Sequence, residues 1–583
     1  ESDALLGGTG RDITRSNNSI LSSITAWSQS WRRPESWQPM SWRPLIASRH
    51  TLDLVVTVLV LLVIACVVSW VSDGTGQMDR PEQHAAFVQA MQTLEDRIQG
   101  HLVWPTDGAA FVNASHVWNQ CFRNQPPAVV VEAFDEVDVQ IIVPFLYDVQ
   151  RNFSVPFRIR SGGHSYAGWS TIPHGIILSL SSLNHLTFEL DENDNDDTMK
   201  TATVTAGPTV RGLDILQQIW LKHGYGGVFG FCPDVAEGGY TLGGGQGALT
   251  RSHGLAIDNL KAARTVLADG QVVTASATEH ADLFWALRGA GQGNFGVVTE
   301  LQYTYYPVQD EMVFIRGEIP LHLAPQFLSE IGKLSAPRNA GVIFMNTAMS
   351  DVGINGLPLT ALFYWNGDDL EKGLAFWDTT FRSLLPQEVV DRFDVETLST
   401  YYVSTQLFPR QEGLRVRAYN GFLFPEQNSA DTWKYILDHL WNICQQSAYA
   451  ATYIEYWGGD SAFNDVAPNA TEFYWRQAVY NVRLEILMPA DLGPEEFESQ
   501  LALFDSQWVF VEPYLTGTYA NYPEVSLEHP AQRTYGKNLP RLQQIKQKYD
   551  PDNMFHHPHS IPPLKGGKHT PETLGSMVIK HLP

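Results

Sequence analysis

Arg158-Ile159-Arg160-Ser161-Gly162-Gly163-His164-Ser165-Tyr166-Ala167-Gly168-Trp169-Ser170 is one of two stretches whose reading decides the fold. The other opens Gly230-Phe231-Cys232-Pro233 and runs through Gly238-Gly239 to Gly243-Gly244-Gly245-Gln246-Gly247. Glycines clustered this densely let the backbone approach a ligand and turn free N–H groups toward phosphate oxygens. Each stretch also carries one reactive side chain, His164 in the first and Cys232 in the second. An isolated histidine is more often a core or capping residue, and an isolated cysteine a small buried hydrophobe. Their pairing inside glycine-rich loops points further, to two covalent attachment points for a bound cofactor.

Working outward, Ala128–Ala133 reads as a strand, residues 137–150 as a helix and Phe157–Arg160 as a second strand ending at the first glycine loop. That order predicts parallel pairing through a crossover. Short strands follow at Gly175–Leu180, Thr201–Ala206 and Ala262–Leu267, and Asp269-Gly270 turns the chain into Gln271-Val272-Val273. Upstream, residues 81–102 have the apolar spacing of an amphipathic helix. Beyond about residue 310 the texture changes. Alternating segments at Ala340–Met345 and Leu359–Trp365 mix with a helix expected over Leu370–Leu384, which predicts an antiparallel sheet. The fold class is therefore α+β. Its segments are 73–122 (linker and amphipathic helix), 123–309 (cofactor-binding domain), 310–515 (substrate domain), 516–565 (a segment returning to the first domain) and 566–583 (tail).

A chain of 583 residues exceeds what one hydrophobic core supports. A net charge of −24 argues against a nucleic-acid partner, which demands a basic face. The acidic run Asp191-Glu192-Asn193-Asp194-Asn195-Asp196-Asp197 reads as a solvated loop, not as a metal site, and no metal is expected. Of the four cysteines, Cys66 lies in an apolar run. With Cys232 committed to a cofactor, Cys121 and Cys444 either pair or stay free.

Leu54–Val71, LVVTVLVLLVIACVVSWV, holds eighteen residues without a charge. Its length predicts a single transmembrane helix over 51–72, although its β-branched richness also suits a buried strand pair. Arg43, Arg49 and His50 precede it, while Asp73 and Asp79 follow with Arg80 behind them. Positive charge on the first side predicts a single-pass type II membrane protein, with residues 1–50 a disordered cytoplasmic arm and the catalytic part extracellular or lumenal. Asn113-Ala114-Ser115, Asn152-Phe153-Ser154 and Asn469-Ala470-Thr471 are candidate glycosylation triplets on that side.

The two glycine stretches, RIRSGGHSYAGWS (158–170) and GFCPDVAEGGYTLGGGQGALTRSHGLAIDNL (230–260), are followed by DLFWALRGAGQGNFGVV (282–298), TYANYP (518–523) and YGKNLPRLQQIKQKYDPDNMFHHPHSIPP (535–563). In that order the chain resembles the berberine-bridge-enzyme-like branch of the vanillyl-alcohol-oxidase flavoproteins over about residues 123–565. The resemblance implies a PCMH-type FAD-binding domain of two subdomains and a substrate domain whose antiparallel sheet is covered by helices. It implies FAD bonded through its 8α carbon to His164 and through C6 to Cys232. Ser161, Gly162, Gly163, Ser165 and Gly168 match the family's pyrophosphate cradle. Gly238, Gly239, Gly245, Asp258 and Asn259 match the remaining cofactor lining, Val298 the adenine end, and Asn553 a residue closing over the flavin ring.

For the reaction, the resemblance to sugar-oxidising relatives implies a tyrosine base in Tyr519-Ala520-Asn521-Tyr522. Tyr519 is the expected base and Glu455 its activator, with Tyr522 and Asn521 as substitutes that contact flavin or substrate. On the strand expected around Glu455, a period of two puts Tyr453, Glu455 and Trp457 on one face. Many plant members carry a tyrosine where this chain has Gln246, so a two-tyrosine arrangement is in doubt, and Gln246 is instead expected to hydrogen-bond a hydroxylated substrate. Val235, three residues after Cys232, and small Gly230 match positions that leave dioxygen a path to reduced flavin. Tyr453, Tyr456, Trp457, Phe473, Tyr474 and Trp475 are either stacking platforms for sugar rings or core. The expected activity is oxidation of a sugar or oligosaccharide at its anomeric carbon to a lactone, with dioxygen reduced to hydrogen peroxide. Oxidation of an alkaloid, aromatic alcohol or other secondary metabolite by an oxidase or dehydrogenase, with Glu455 as direct base, is the alternative. A silent flavoprotein acting as a surface module is the third.

Overall fold

Among the described residues the strands form three sheets, and each follows from a different hydrophobic pattern. The computed structural model describes residues 81–191, 200–347, 359–367, 369–399 and 413–564. Residues 76–583 form one compact unit; the other, residues 1–75, lies outside the described residues.

The first sheet holds β1 (His101–Val103), β2 (Val129–Glu132), β3 (Phe157–Arg160) and β4 (Ile176–Ser179) in the order β1-β2-β4-β3. β2 and β3 are both parallel to β4, which slots between them, and β1 is an antiparallel edge. β4 is buried along its whole length, as an apolar run covered on both faces must be. Helix α1 (Pro81–Glu95) is shorter than the 81–102 expected. It stops because Asp138 accepts the backbone N–H groups of Gln99, Gly100 and Phe134, which folds the chain into β1 instead. Helix α2 (Glu136–Phe153) is the crossover, started by Asp135, whose side chain accepts the Asp138 N–H.

β5 (Leu186–Leu190), β6 (Ala202–Ala206), β7 (Tyr225–Gly226), β8 (Leu260–Val266), β9 (Val272–Ser276) and β10 (Val297–Pro307) make the second sheet, ordered β5-β6-β10-β8-β9 with β7 on β10, antiparallel throughout. Helix α3 (Glu237–Leu242) carries the second glycine segment beside it.

The third sheet is the largest: β11 (Glu311–Ile319), β12 (Ala340–Thr347), β13 (Leu359–Trp365), β14 (Asp394–Ser399), β15 (Leu414–Leu423), β16 (Ala450–Tyr456) and β17 (Tyr480–Pro489). Its antiparallel order is β14-β11-β13-β12-β16-β17-β15. Helices α4 (Ala430–Gln446) and α5 (Pro494–Val511) cover one face through Trp433, Ile436, Phe504 and Trp508. The helix expected over 370–384 is α-helical to Phe376, then widens to a π turn over Trp377–Phe381 and tightens to a 3₁₀ turn, bringing Trp377 and Phe381 onto Phe363.

One expectation is corrected. The transmembrane helix is not part of this α+β fold: among the described residues no helix is long and apolar enough to cross a membrane, and residues 51–72, on which the expectation falls, lie outside them. Cys121, Cys232 and Cys444 are free thiols, so the open choice between pairing and freedom resolves to freedom.

Candidate functional site

The two glycine stretches meet. A Cβ on Gly162 would lie 2.7 Å from Cβ of Ala236, so this approach of loop to loop requires glycine there. Ser161 Oγ donates to the Pro208 carbonyl at 2.5 Å, tying the first stretch to the second sheet. Between them opens a pocket of about 650 Å³. Ser161, Gly162, Gly163, His164, Ser165, Cys232, Val235, Gly238, Gly239 and Val298 line it, as do Gln246, Tyr519, Asn521 and Tyr522.

Five expected cofactor residues lie outside that lining. Gly168 backs onto the Phe122 ring. Gly245, at φ +78°, turns its N–H onto the Tyr519 hydroxyl at 2.9 Å. Asp258 receives both Arg476 Nη atoms at 2.7 Å and the Leu255 N–H, which uses its carboxylate as a strut. Asn259 donates its amide to the His253 and Leu255 carbonyls and accepts the Tyr306 hydroxyl. Asn553, left-handed at φ 53°, turns the chain after Asp550. Glu455 also stands one layer back from the pocket, behind Gln246.

His164 and Cys232 both face the pocket. Burial, with the positive charges of Arg211 and His116 adding to it, lowers the His164 pKa to about 4, so its imidazole is neutral at physiological pH. Cys232 opens onto the pocket yet lies deep in the protein. Burial, reinforced by the Glu485 carboxylate against the pull of Arg483, pushes its thiol up to about 11.

The far wall comes from the third sheet. β16 and β17 pair with Tyr453 opposite Arg483 and Ala451 opposite Glu485, and alternation puts Tyr453, Glu455, Arg483 and Glu485 on one face. Arg483 Nε lies 3.0 Å from Glu485 Oε1, which also accepts the Tyr166 hydroxyl at 2.9 Å. The guanidinium sits 4.0 Å from the Tyr522 ring centre and 4.4 Å from that of Tyr453. Gln246 Nε2 donates to Glu455 Oε1 at 2.8 Å and to the Tyr522 hydroxyl at 3.1 Å. Glu455 thus reaches Tyr522 through Gln246 and does not touch Tyr519. Burial pushes its carboxyl up, against Arg483 and Gln246. The Tyr519 oxygen accepts from Gly245 N–H and from Asn521 Nδ2, each at 2.9 Å. Those donors favour a phenolate, but burial outweighs them and holds the phenol above its ordinary value.

Sequence reading missed Arg483, Glu485, Trp118 and Tyr166. The alternation of charged residues inside the apolar run Tyr480–Pro489 was the available signal for the first two. Of the aromatic residues left open between stacking and core, Trp457, Phe473 and Trp475 pack around Tyr519 as core, and Tyr456 is buried among the sheet's helices. Tyr453, of the same set, faces the pocket, together with Trp118, Tyr166, Trp169 and Tyr522.

The residues present fit a flavin dinucleotide. Two glycine loops offer backbone where side chains would intrude, and Trp169 Nε1 and Ser170 Oγ are buried polar atoms at the pocket lining with no protein partner. Such a fold and site define an FAD-linked oxidoreductase. Residues 127–276 match the family described as FAD binding domain, and residues 518–562 that described as berberine and berberine like. The chain thus carries an FAD-binding domain and a berberine-like segment and is similar to the berberine-bridge-enzyme-like FAD-linked oxidoreductases. It is 29% identical to the FAD-linked oxidoreductase YvdP of Bacillus subtilis, covering 80% of this chain and 99% of that one. It is 26% identical to a chitooligosaccharide oxidase of Gibberella zeae, covering 80% and 92%. In structure it is similar to a xylooligosaccharide oxidase from Myceliophthora thermophila in complex with xylobiose, with TM-score 0.68, 21% identity and coverage of 81% and 99%, a likeness of fold.

Proposed function

We propose that this protein is an oxidase that takes a sugar or oligosaccharide, at its anomeric hydroxyl, to a lactone while reducing dioxygen to hydrogen peroxide. Gln246 carries the reading. Its Nε2 is committed to Glu455 and Tyr522, while Oε1 is buried at the pocket lining with no protein partner, an acceptor that fits a substrate hydroxyl. Relatives named chitooligosaccharide and xylooligosaccharide oxidases support the substrate class.

His164 and Cys232 are the proposed attachment points of FAD, and two bonds suit a pocket that must stay open to a large substrate. When bound, FAD supplies the acceptor for the hydride of the substrate's C–H and passes the electrons to dioxygen. Tyr519 takes the hydroxyl proton: Gly245 N–H and Asn521 Nδ2 stand where a phenolate oxygen needs donors. Arg483 and Gln246 orient the ring of Tyr522 beside it, and Val235 at the lining leaves dioxygen a path. A second reading of the base is Glu485, favoured because its carboxylate lines the pocket itself whereas Glu455 does not.

The test is peroxide release by the full chain against a panel of sugars and oligosaccharides, after denaturation establishes whether yellow flavin stays attached. Peroxide with sugars supports the reading; attached flavin that sugars do not reduce sinks the substrate class. Comparing Tyr519→Phe with Glu485→Gln in single-turnover flavin reduction separates the two bases.

A further inference from the structure

Residues 116–120, expected from sequence to end a linker, form a strap between the loop of His164 and the edge of the third sheet. Trp118 N–H donates to the Gly163 carbonyl at 3.1 Å. Next to it, Asn119 is fully buried. Its Nδ2 donates to the carbonyls of Tyr166 and Val416, and its Oδ1 accepts the Val416 N–H, at 2.6, 2.9 and 3.0 Å. β15 is an edge strand, so Asn119 supplies the pairing a missing neighbour would give. The strap is thereby fixed to both halves of the pocket.

On this fixed backbone the Trp118 indole lies against the His164 imidazole, ring centroids 5.4 Å apart and planes 19° from parallel. It also leans on the Tyr166 ring at 5.2 Å. Among the described residues no hydrogen bond reaches either nitrogen of His164, so a stack, not a hydrogen bond, sets the plane of its ring. We propose that Trp118 is a positioning residue that holds the His164 imidazole in the plane from which it bonds the flavin, an inference that rests on the covalent attachment proposed above. In that reaction an imidazole nitrogen bonds the flavin's 8α carbon. One methyl C–H and the imidazole N–H leave as protons, and the electron pair of the broken C–H passes to the isoalloxazine ring. Dioxygen then takes those two electrons and becomes hydrogen peroxide. A ring free to rotate on a glycine-flanked loop spends little time aimed at that carbon; a stacked ring is held there, which is how orientation accelerates a step without touching the reacting atoms.

The experiment uses full-length protein in a Cys232→Ser background, so that His164 provides the remaining bond. Chain produced under riboflavin limitation is mixed with FAD, and attached flavin is followed in time by acid precipitation and peptide mass spectrometry. Total bound flavin and far-UV dichroism are recorded in parallel. Trp118→Leu, which fills space without an aromatic face, is expected to bind FAD yet attach it at least tenfold more slowly, and Trp118→Phe to recover most of the rate. Should Trp118→Leu not fold, Trp118→Met serves as the non-aromatic variant. Equal rates in the aromatic and non-aromatic variants overturn the proposal, as does loss of bound flavin together with the bond. Failure of the Cys232→Ser parent to attach any flavin is a separate result: it removes the covalent role of His164 and the proposal with it.

Discussion

Tyr519 shows how much of a residue's chemistry is decided by neighbours that are remote in sequence. Its oxygen takes N–H donors from Gly245 and Asn521, and its ring is wedged among Trp457, Phe473 and Tyr522. Tyr519→Phe keeps that packing and removes the proton acceptor. It is expected to leave flavin content unchanged and slow substrate-driven flavin reduction by about 10²–10⁴-fold; near-normal reduction in stopped flow would remove Tyr519 from the mechanism. Glu237 makes a second residue-scale case. It is the first residue of the glycine helix α3, accepting from Thr241 and Tyr303 hydroxyls, and burial raises its pKa from 4.5 to about 8. Between those values the unfolded chain has released the proton while the folded chain keeps it. Rising pH therefore favours unfolding, by about 1.4 kcal/mol per pH unit at most. Glu237→Gln has no such titration, so its denaturant midpoint relative to the parent should climb from pH 5 to pH 8. Parallel midpoints across that range would show that Glu237 is ionised in the fold. Asp258 and Asn259 mark the limit of reading residue types: both sit in the expected motif, but Arg476 and Tyr306, far along the chain, claim their polar atoms.

At the scale of elements, the sequence was legible where one hydrophobic pattern persisted. Phe157–Arg160 and Leu359–Trp365 have the bounds expected, because in the sequence each follows a proline directly and is closed by a polar residue and glycine. The first helix stops short at Glu95 because a carboxylate forty-odd positions later captures the next backbone N–H groups, and no local pattern reports that. Residues 546–555 are held by a similar device. Lys546 and Asp550, each 1% exposed, face each other at 2.7 Å in the helix Leu539–Tyr549 and the turn after it. Asp550 also accepts the N–H groups of Met554 and Phe555, which line the pocket. Lys546→Met would strand a buried carboxylate, at a cost of about 3–5 kcal/mol. The denaturant midpoint should fall accordingly, and Asp550→Asn added to it should restore at least half the loss. A double variant no more stable than the single one would mean the lysine acts through its carbonyl contacts instead.

For the whole molecule, the pocket belongs to neither half alone. The glycine loops bring backbone and attachment residues, while β16 and β17 bring Tyr453, Arg483 and Glu485 from more than 200 positions later. Sequence motifs located the first wall because glycine patterns are local; the second was opaque because a charged residue in a buried strand is recognisable only once its partner strand is known. Two guanidinium clasps join the halves. Arg251, 3% exposed, donates to the carbonyls of Ala336, Pro337, Ala340 and Gly458. Arg476, with no exposed surface, reaches back in the opposite direction to Asp258. Each half keeps an apolar core of its own. Only a smaller cluster, in which Leu255 and Ile257 pack with Phe422, Trp457 and Phe473, is common to both, so the clasps add polar coupling to a limited shared hydrophobic area. Replacing both arginines, Arg251→Met with Arg476→Met, should therefore split one calorimetric transition into two, the first at lower temperature. Because Ala256 and Ile257, in the turn that Asp258 closes, donate to the carbonyls of Gly245 and Gly244, the same loosening should reach the donor that Gly245 offers Tyr519. Flavin reduction by substrate should slow while the flavin stays bound. A double variant that still melts in a single transition, with unaltered reduction kinetics, would show that the halves are coupled through the pocket walls themselves.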